Sequence, residues 1–210
     1  MIAKRIQGKG ILAKLLEKGI RILLIKECKN IRNIKIDIIS SSNQIIKGEI
    51  QKINIIAEDI NFKNLLFDKV ELKAIHIKIN FNMMSKKLCF KNDPLIKFKI
   101  SLSQNSLEKV LLSNDWNYIG NIICKEILSQ VKLENIKIKN NQLIIKSNNE
   151  NSTIKDEEQI EIKTDKGKIY FKNNNNNKTI IVPIEEKIYI ENVNIENNLI
   201  NIFGNSSISF

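Results

Sequence analysis

The chain has 210 residues, 34 Lys and Arg against 23 Asp and Glu, a formal net charge of +11 and a single histidine. That length suits one large domain or two small ones and is enough to bury a real core. One histidine leaves little material for Ser-His-Asp or metal chemistry.

The charge alone does not make a nucleic-acid binder. Arg is the residue of bidentate base and phosphate contacts, and only Arg5, Arg21 and Arg32 are Arg. Ile makes up about a fifth of the chain and Lys and Asn are also abundant. This is the bias of an AT-rich coding sequence, and drift toward Lys codons accounts for much of the excess. No nucleic-acid partner is expected. Cys28, Cys89 and Cys124 are odd in number and form no CxxC pair, so they read as small core hydrophobes of a reducing compartment.

Met1–Lys9 is a basic, flexible leader without a packing period. No secretory pattern is visible, because Lys14, Glu17 and Lys18 interrupt the first apolar stretch. A cytoplasmic location is expected, peripheral on an inner or photosynthetic membrane. No Pro/Gly/Ser-rich linker divides the rest of the chain, so residues 10–210 read as one domain.

Gly10–Ile25 has the period of an amphipathic helix. At about 100° per residue, its apolar side chains spread over an arc of roughly 220°. Lys14, Glu17, Lys18 and Arg21 fill the remainder. An arc that wide needs cover on several sides, so the spacing predicts a helix enclosed by bent β-structure. A helix with one broad side in water, or packed only against other helices, would remove that premise and any lipid-binding expectation drawn from it.

Strand patterns take over after the helix. Ile34, Ile36 and Ile38 alternate, and SSSN at 40–43 reads as a turn. The run Ile45–Ala57 changes parity between Ile50 and Ile53, and Phe67–Phe81 changes parity between Ala74 and Ile75. A change of parity implies an absorbed residue, and mid-strand bulges bend sheets. Phe81–Lys87 (FNMMSKK) joins two strand-like runs, and KNDP at 91–94 is a further turn. Ile96, Phe98, Ile100 and Leu102 alternate as a half-buried strand. Asn105 and Glu108 open a short helix through Leu112. Trp116, Ile119, Gly120, Ile123 and Ile127 then fall on one helical face. Strands return at Val131–Lys139 and Leu143–Lys146, then at Ile160–Ile162 and Ile169–Phe171 around a TDKG hairpin turn. Two or three short strands close the chain, at Thr179–Ile184, Lys187–Ile195 and Leu199–Phe203.

Little chemistry is nominated. His76 stands alone, Gly8-Lys9-Gly10 falls far short of a phosphate loop, and the Glu157–Glu158 and Glu185–Glu186 pairs lie in polar stretches. No catalytic residue, metal ligand or cofactor is expected. Apolar architecture with basic edges remains. FNMMSKK has the composition of a membrane-touching tip, with Phe81, Met83 and Met84 to insert and Lys86 and Lys87 to meet phosphates. The same Phe and one Met would equally serve as core.

The order of elements resembles the LmeA-type phospholipid-binding proteins, a family with many members in photosynthetic bacteria and actinobacteria. The resemblance is carried by the N-terminal helix, the strand Ile34–Ile38, Gly48 with Ile50, the run Glu58–Leu66, Val70 with Leu72, and Ser103–Trp116. It implies an α+β, tubular lipid-binding-like fold: a long N-terminal helix wrapped by a strongly curved antiparallel β-sheet, with one or two short helices mid-chain. It also implies a non-catalytic phospholipid or acyl-chain binder, acting as carrier or sensor. The exported members' signal peptide has no counterpart here. The expected groove wall is Leu12, Leu15, Leu16 and Leu23 of the helix with Ile75, Ile77 and Ile79 of the strand. The alternative is a filled core in a structural or interaction domain. The expected partner is phospholipid or an anionic membrane surface. Met83→Asp/Met84→Asp is expected to lower co-sedimentation with anionic liposomes, and unchanged binding removes the tip from consideration.

Overall fold

A computed structural model describes residues 10–82, 87–128, 132–148, 157–173 and 175–207. The leader 1–9 lies outside them. The first helix, α1 (Ile11–Glu27), leads into β1 (Asn30–Ile39). A one-turn helix, α2 (Ser42–Ile46), stands where SSSN reads as a turn. Its cause is local: Ser41 and Gln44 form a reciprocal capping box, in which the Ser41 side chain accepts from Gln44 N and Gln44 Oε1 accepts from Ser41 N. Then come β2 (Glu49–Phe62), β3 (Leu65–Asn82), β4 (Lys87–Phe90) and β5 (Leu95–Ser103). Two short helices, α3 (Gln104–Leu111) and α4 (Asn117–Ile123), continue into a π-helical turn at Cys124–Leu128. The remaining strands are β6 (Lys132–Lys139), β7 (Gln142–Asn148), β8 (Glu157–Asp165), β9 (Lys168–Asn173), β10 (Thr179–Ile181), β11 (Ile188–Glu196) and β12 (Leu199–Ser207).

These strands make two antiparallel sheets. One runs β1-β2-β3-β5-β12-β11, with β4 paired to β3. The other runs β10-β9-β8-β7-β6 in five strands. The largest core joins them: Leu143, Ile145, Ile136 and Ile160 of the small sheet are buried with Ile123 and Ile127 of the helical segment and with Leu102, Val193 and Ile200 of the large sheet. Gly120 sits tight in this core, where an added Cβ would meet the Leu133 side chain at 2.8 Å.

The expectation of a helix wrapped by a strongly curved sheet is corrected here. Among the α1 side chains only Ala13 is buried, whereas Ile11 is 78% exposed, Leu15 59% and Leu23 61%. The helix lies along the edge strand β1 with a broad side in water. Ala13, Leu16, Ile20 and Leu24 pack on the sheet, and polar contacts fix the helix at its edge. The edge of a sheet presents unpaired backbone groups, and α1 answers them with the stripe that sequence periodicity assigns to solvent. Glu17 Oε1 accepts from the Ile38 amide at 2.8 Å, and Arg21 Nη2 donates to the Ile34 carbonyl at 2.6 Å.

The parity changes are real, but they come without the one-sided bulge expected between β2 and β3. Ile50 pairs with Ile77 and Lys52 with Ile75, with no register shift along the β2–β3 ladder. Both strands absorb a residue at the same level, around Gln51 and His76, and His76 takes a left-handed φ of 51°. A one-sided bulge bends its strand, whereas opposed insertions leave the register intact.

Glu17→Ala and Arg21→Ala are each expected to cost about 1 kcal/mol, as part-exposed charge-assisted hydrogen bonds. The Glu17 variant is also expected to speed hydrogen exchange at the Ile38 amide. Unchanged exchange there would place the helix off the strand edge.

Candidate functional site

Because α1 is held over β1, it stops short of the central strands, and a groove of about 300 Å³ lies under its flank. The helix contributes Leu16, Ile20 and Leu23. From below, β2 contributes Ile50, Ile53 and Ile55, and β3 contributes Leu72, Ala74, Ile77 and Ile79. Pro94 and Ile96 close the far side. Every lining residue is apolar.

The paired insertion at Gln51 and His76 builds this wall. A strand alternates faces with period two, so without the insertion Ile77 and Ile79 would face away from Leu72 and Ala74. The slack is taken up by polar groups outside the groove. Asn92 Nδ2 donates to the His76 carbonyl at 2.8 Å and Asn92 Oδ1 accepts from the Lys78 amide at 2.8 Å, which also sets the turn that delivers Pro94. At the other end Gly48 has φ 75°, and its carbonyl accepts from the Ile79 amide at 2.8 Å. A Cβ at Gly48 would collide with the Ile79 carbonyl oxygen, so the residue's missing side chain is what lets the two strands close there.

Of the residues expected to line a groove, Leu16, Leu23, Ile77 and Ile79 are brought together. Leu12 is half-buried on the helix but is not in the wall, and Leu15 is out in solvent. Ile75 pairs with Lys52 and is turned to the opposite face by the same insertion that brings Ile77 inward. The residues that sequence reasoning misses are Ile20, Ile50, Ile53, Ile55, Leu72, Ala74, Pro94 and Ile96. The two parities on β2 and β3 carry the signal for most of them, once both phases are assigned to one face.

The tip behaves differently. Met83, Met84 and Lys86 lie outside the described residues. Phe81 and Lys87 enter only through the backbone ladder, paired with Leu88 and Asn82.

Two other depressions are chemically unlike the groove. One, about 590 Å³, lies on the opposite face of the large sheet and mixes Lys73, Lys97 and Lys99 with Asp37, Glu71 and Glu191. The other, about 380 Å³, is a polar crevice around 140–142 and 159–162. Among the described residues no group of three His, Cys, Asp or Glu is placed to hold a metal ion, and no helix is long and apolar enough to cross a membrane. His76 is exposed on the outer face.

No family model matches the chain, and neither a curated protein nor a solved structure matches it.

Cys124 has no exposed surface, and desolvation pushes its thiol up to about 11; burial and the neighbouring Glu27 carboxylate also raise Cys28. Between about pH 9 and 11 the unfolded Cys124 thiol loses its proton while the folded one keeps it, so stability falls as pH rises through that window. At about pH 8, near the ordinary thiol range, a maleimide is expected to leave Cys124 unlabelled in the native chain while part-exposed Cys28 reacts. Equal rates at both would mean that the central core opens readily.

Proposed function

We propose that this chain is a non-catalytic lipid-binding protein, peripheral to a membrane, that takes a single acyl chain or a similarly slender apolar molecule into the groove beside α1. The observation that carries the reading is the groove's lining: apolar on the helix, on both central strands and at Pro94, with no polar or titratable side chain among the lining residues. Catalysis needs a group that moves a proton or attacks the substrate at the site, and this wall offers neither. With α1 exposed along one side, the lipid reading that rests on an enclosed helix falls, and the present proposal rests on the groove alone.

Size favours a sensor over a carrier. Taking a diacyl lipid with about 30 methylenes out of a bilayer costs on the order of 24 kcal/mol at about 0.8 per CH₂. With a methylene close to the size of a water molecule (about 30 Å³ of liquid volume), a groove of about 300 Å³ covers on the order of ten. That leaves most of a diacyl lipid uncovered. The groove suits a sensor or docking slot for one chain, not bulk transport of a phospholipid.

Ala74→Phe puts a ring into the groove from its floor. The expected outcome is a chain that melts at or above the wild-type temperature and no longer binds a fluorescent fatty-acid probe. Retained probe binding by a folded Ala74→Phe variant would overturn the proposal.

A further inference from the structure

The outward half of α1 is a second apolar surface, distinct from the groove. Ile11, Leu15, Ile22 and Ile25 are each more than half exposed, from 54% to 78%. Ile46 on α2, which touches α1, is 73% exposed. Isolated exposed hydrophobics are ordinary, but Ile11 with Leu15 and Ile22 with Ile25, on either side of Lys18 along one helix face, mark an interaction face. At about 100° per residue, Lys14, Lys18 and Lys26 fall on this same outward half, and all three are exposed. Glu17 is turned to the Ile38 amide, and Glu27 falls outside the outward half. The outward half therefore carries apolar side chains and positive charge with no acid between them.

We propose that this face of α1 docks on an anionic lipid bilayer, with the helix lying in the plane of the interface. Apolar side chains on one face and lysines whose stems run along them to reach the headgroups are what such a surface requires. Each lysine near an anionic leaflet adds attraction that salt screens. A second copy of the chain is the poorer occupant, because a two-fold contact through this face would bring Lys14, Lys18 and Lys26 of both copies together. Leu23 is both 61% exposed and part of the groove wall, so the groove opens at the flank of the docking face. The bilayer then supplies the acyl chain. This source rests on the groove reading, but docking itself does not.

The test is co-sedimentation with vesicles of equimolar phosphatidylglycerol and phosphatidylcholine. Leu15 and Ile22 are exposed and absent from the groove wall, so Leu15→Asp/Ile22→Asp is expected to fold as wild type by circular dichroism and to bind the fatty-acid probe. Its vesicle partitioning is expected to drop about tenfold or more, since two inserting side chains are lost. Lys14→Gln/Lys18→Gln/Lys26→Gln is expected to abolish the preference for these vesicles over pure phosphatidylcholine. Unchanged partitioning of the aspartate pair overturns the proposal. So does an aspartate pair that only converts a dimer to a monomer in sedimentation, which would give the face to a second copy. Ala74→Phe leaves the face intact, so loss of probe binding there with vesicle binding retained separates groove from dock.

Discussion

Two side-chain hydrogen bonds decide what this molecule presents to its surroundings. Glu17 and Arg21 reach the free edge of β1 at Ile38 and Ile34, while Ala13, Leu16, Ile20 and Leu24 pack on the sheet, and together these contacts leave Ile11, Leu15 and Ile22 facing outward. An exposed sheet edge invites pairing with another chain, so the arrangement covers an edge at the cost of leaving Ile11, Leu15 and Ile22 in water. Hydrophobic burial alone would rotate the helix so that more of its wide apolar arc faced the sheet. At about 1.5–3 kcal/mol for each fully buried Leu or Ile, exposing several of them is a substantial concession. That concession is the strongest physical reason to look for a partner.

The same anchoring creates the groove. Leu16 and Ile20 share one apolar cluster with Ile53 and Ala74, and a helix seated over the middle of the sheet would close the space that remains beside it. Held at the edge, it overhangs the central strands and leaves about 300 Å³ between. The paired insertion at Gln51 and His76 then lengthens the apolar floor across a point where period two would otherwise turn it polar. Anchor and insertion act together: one sets the height of the roof, the other the reach of the floor.

Much of this is legible in the residues. The helix span, β1, the two long strands with their parity changes, the TDKG hairpin and the strand-rich tail follow from period and turn chemistry. What periodicity cannot convey is which polar residues meet backbone instead of water. Glu17 and Arg21 occupy the sector that any helical wheel gives to solvent, and only the presence of β1 at that sector makes them structural. A change of parity does signal an absorbed residue, but a single strand cannot reveal that its neighbour absorbs one at the same level. Ile75 is therefore expected in the groove and stands on the other face. The large core between the two sheets is also out of reach. It joins Leu102, Ile123, Leu143 and Val193 across most of the chain, and no local pattern specifies that assembly. The S-x-x-Q box at Ser41 and Gln44 is legible in principle, but three serines in a row read first as a turn.

Two apolar surfaces that share one helix constrain each other. On the proposed reading a groove of this size would retain a lipid weakly, because roughly ten covered methylenes are a minority of those in a phospholipid. Such a slot works best where the rest of the lipid stays in its bilayer and only one chain is drawn aside. That demands that the groove mouth stand at the membrane, and Leu23, shared by the groove and the outward flank of α1, is where the two surfaces meet. A protein that carried lipid through water would need the opposite design, with a deep enclosed cavity and a polar exterior helix. The open flank and the exposed isoleucines are liabilities for a shuttle and assets for a protein that works at the interface.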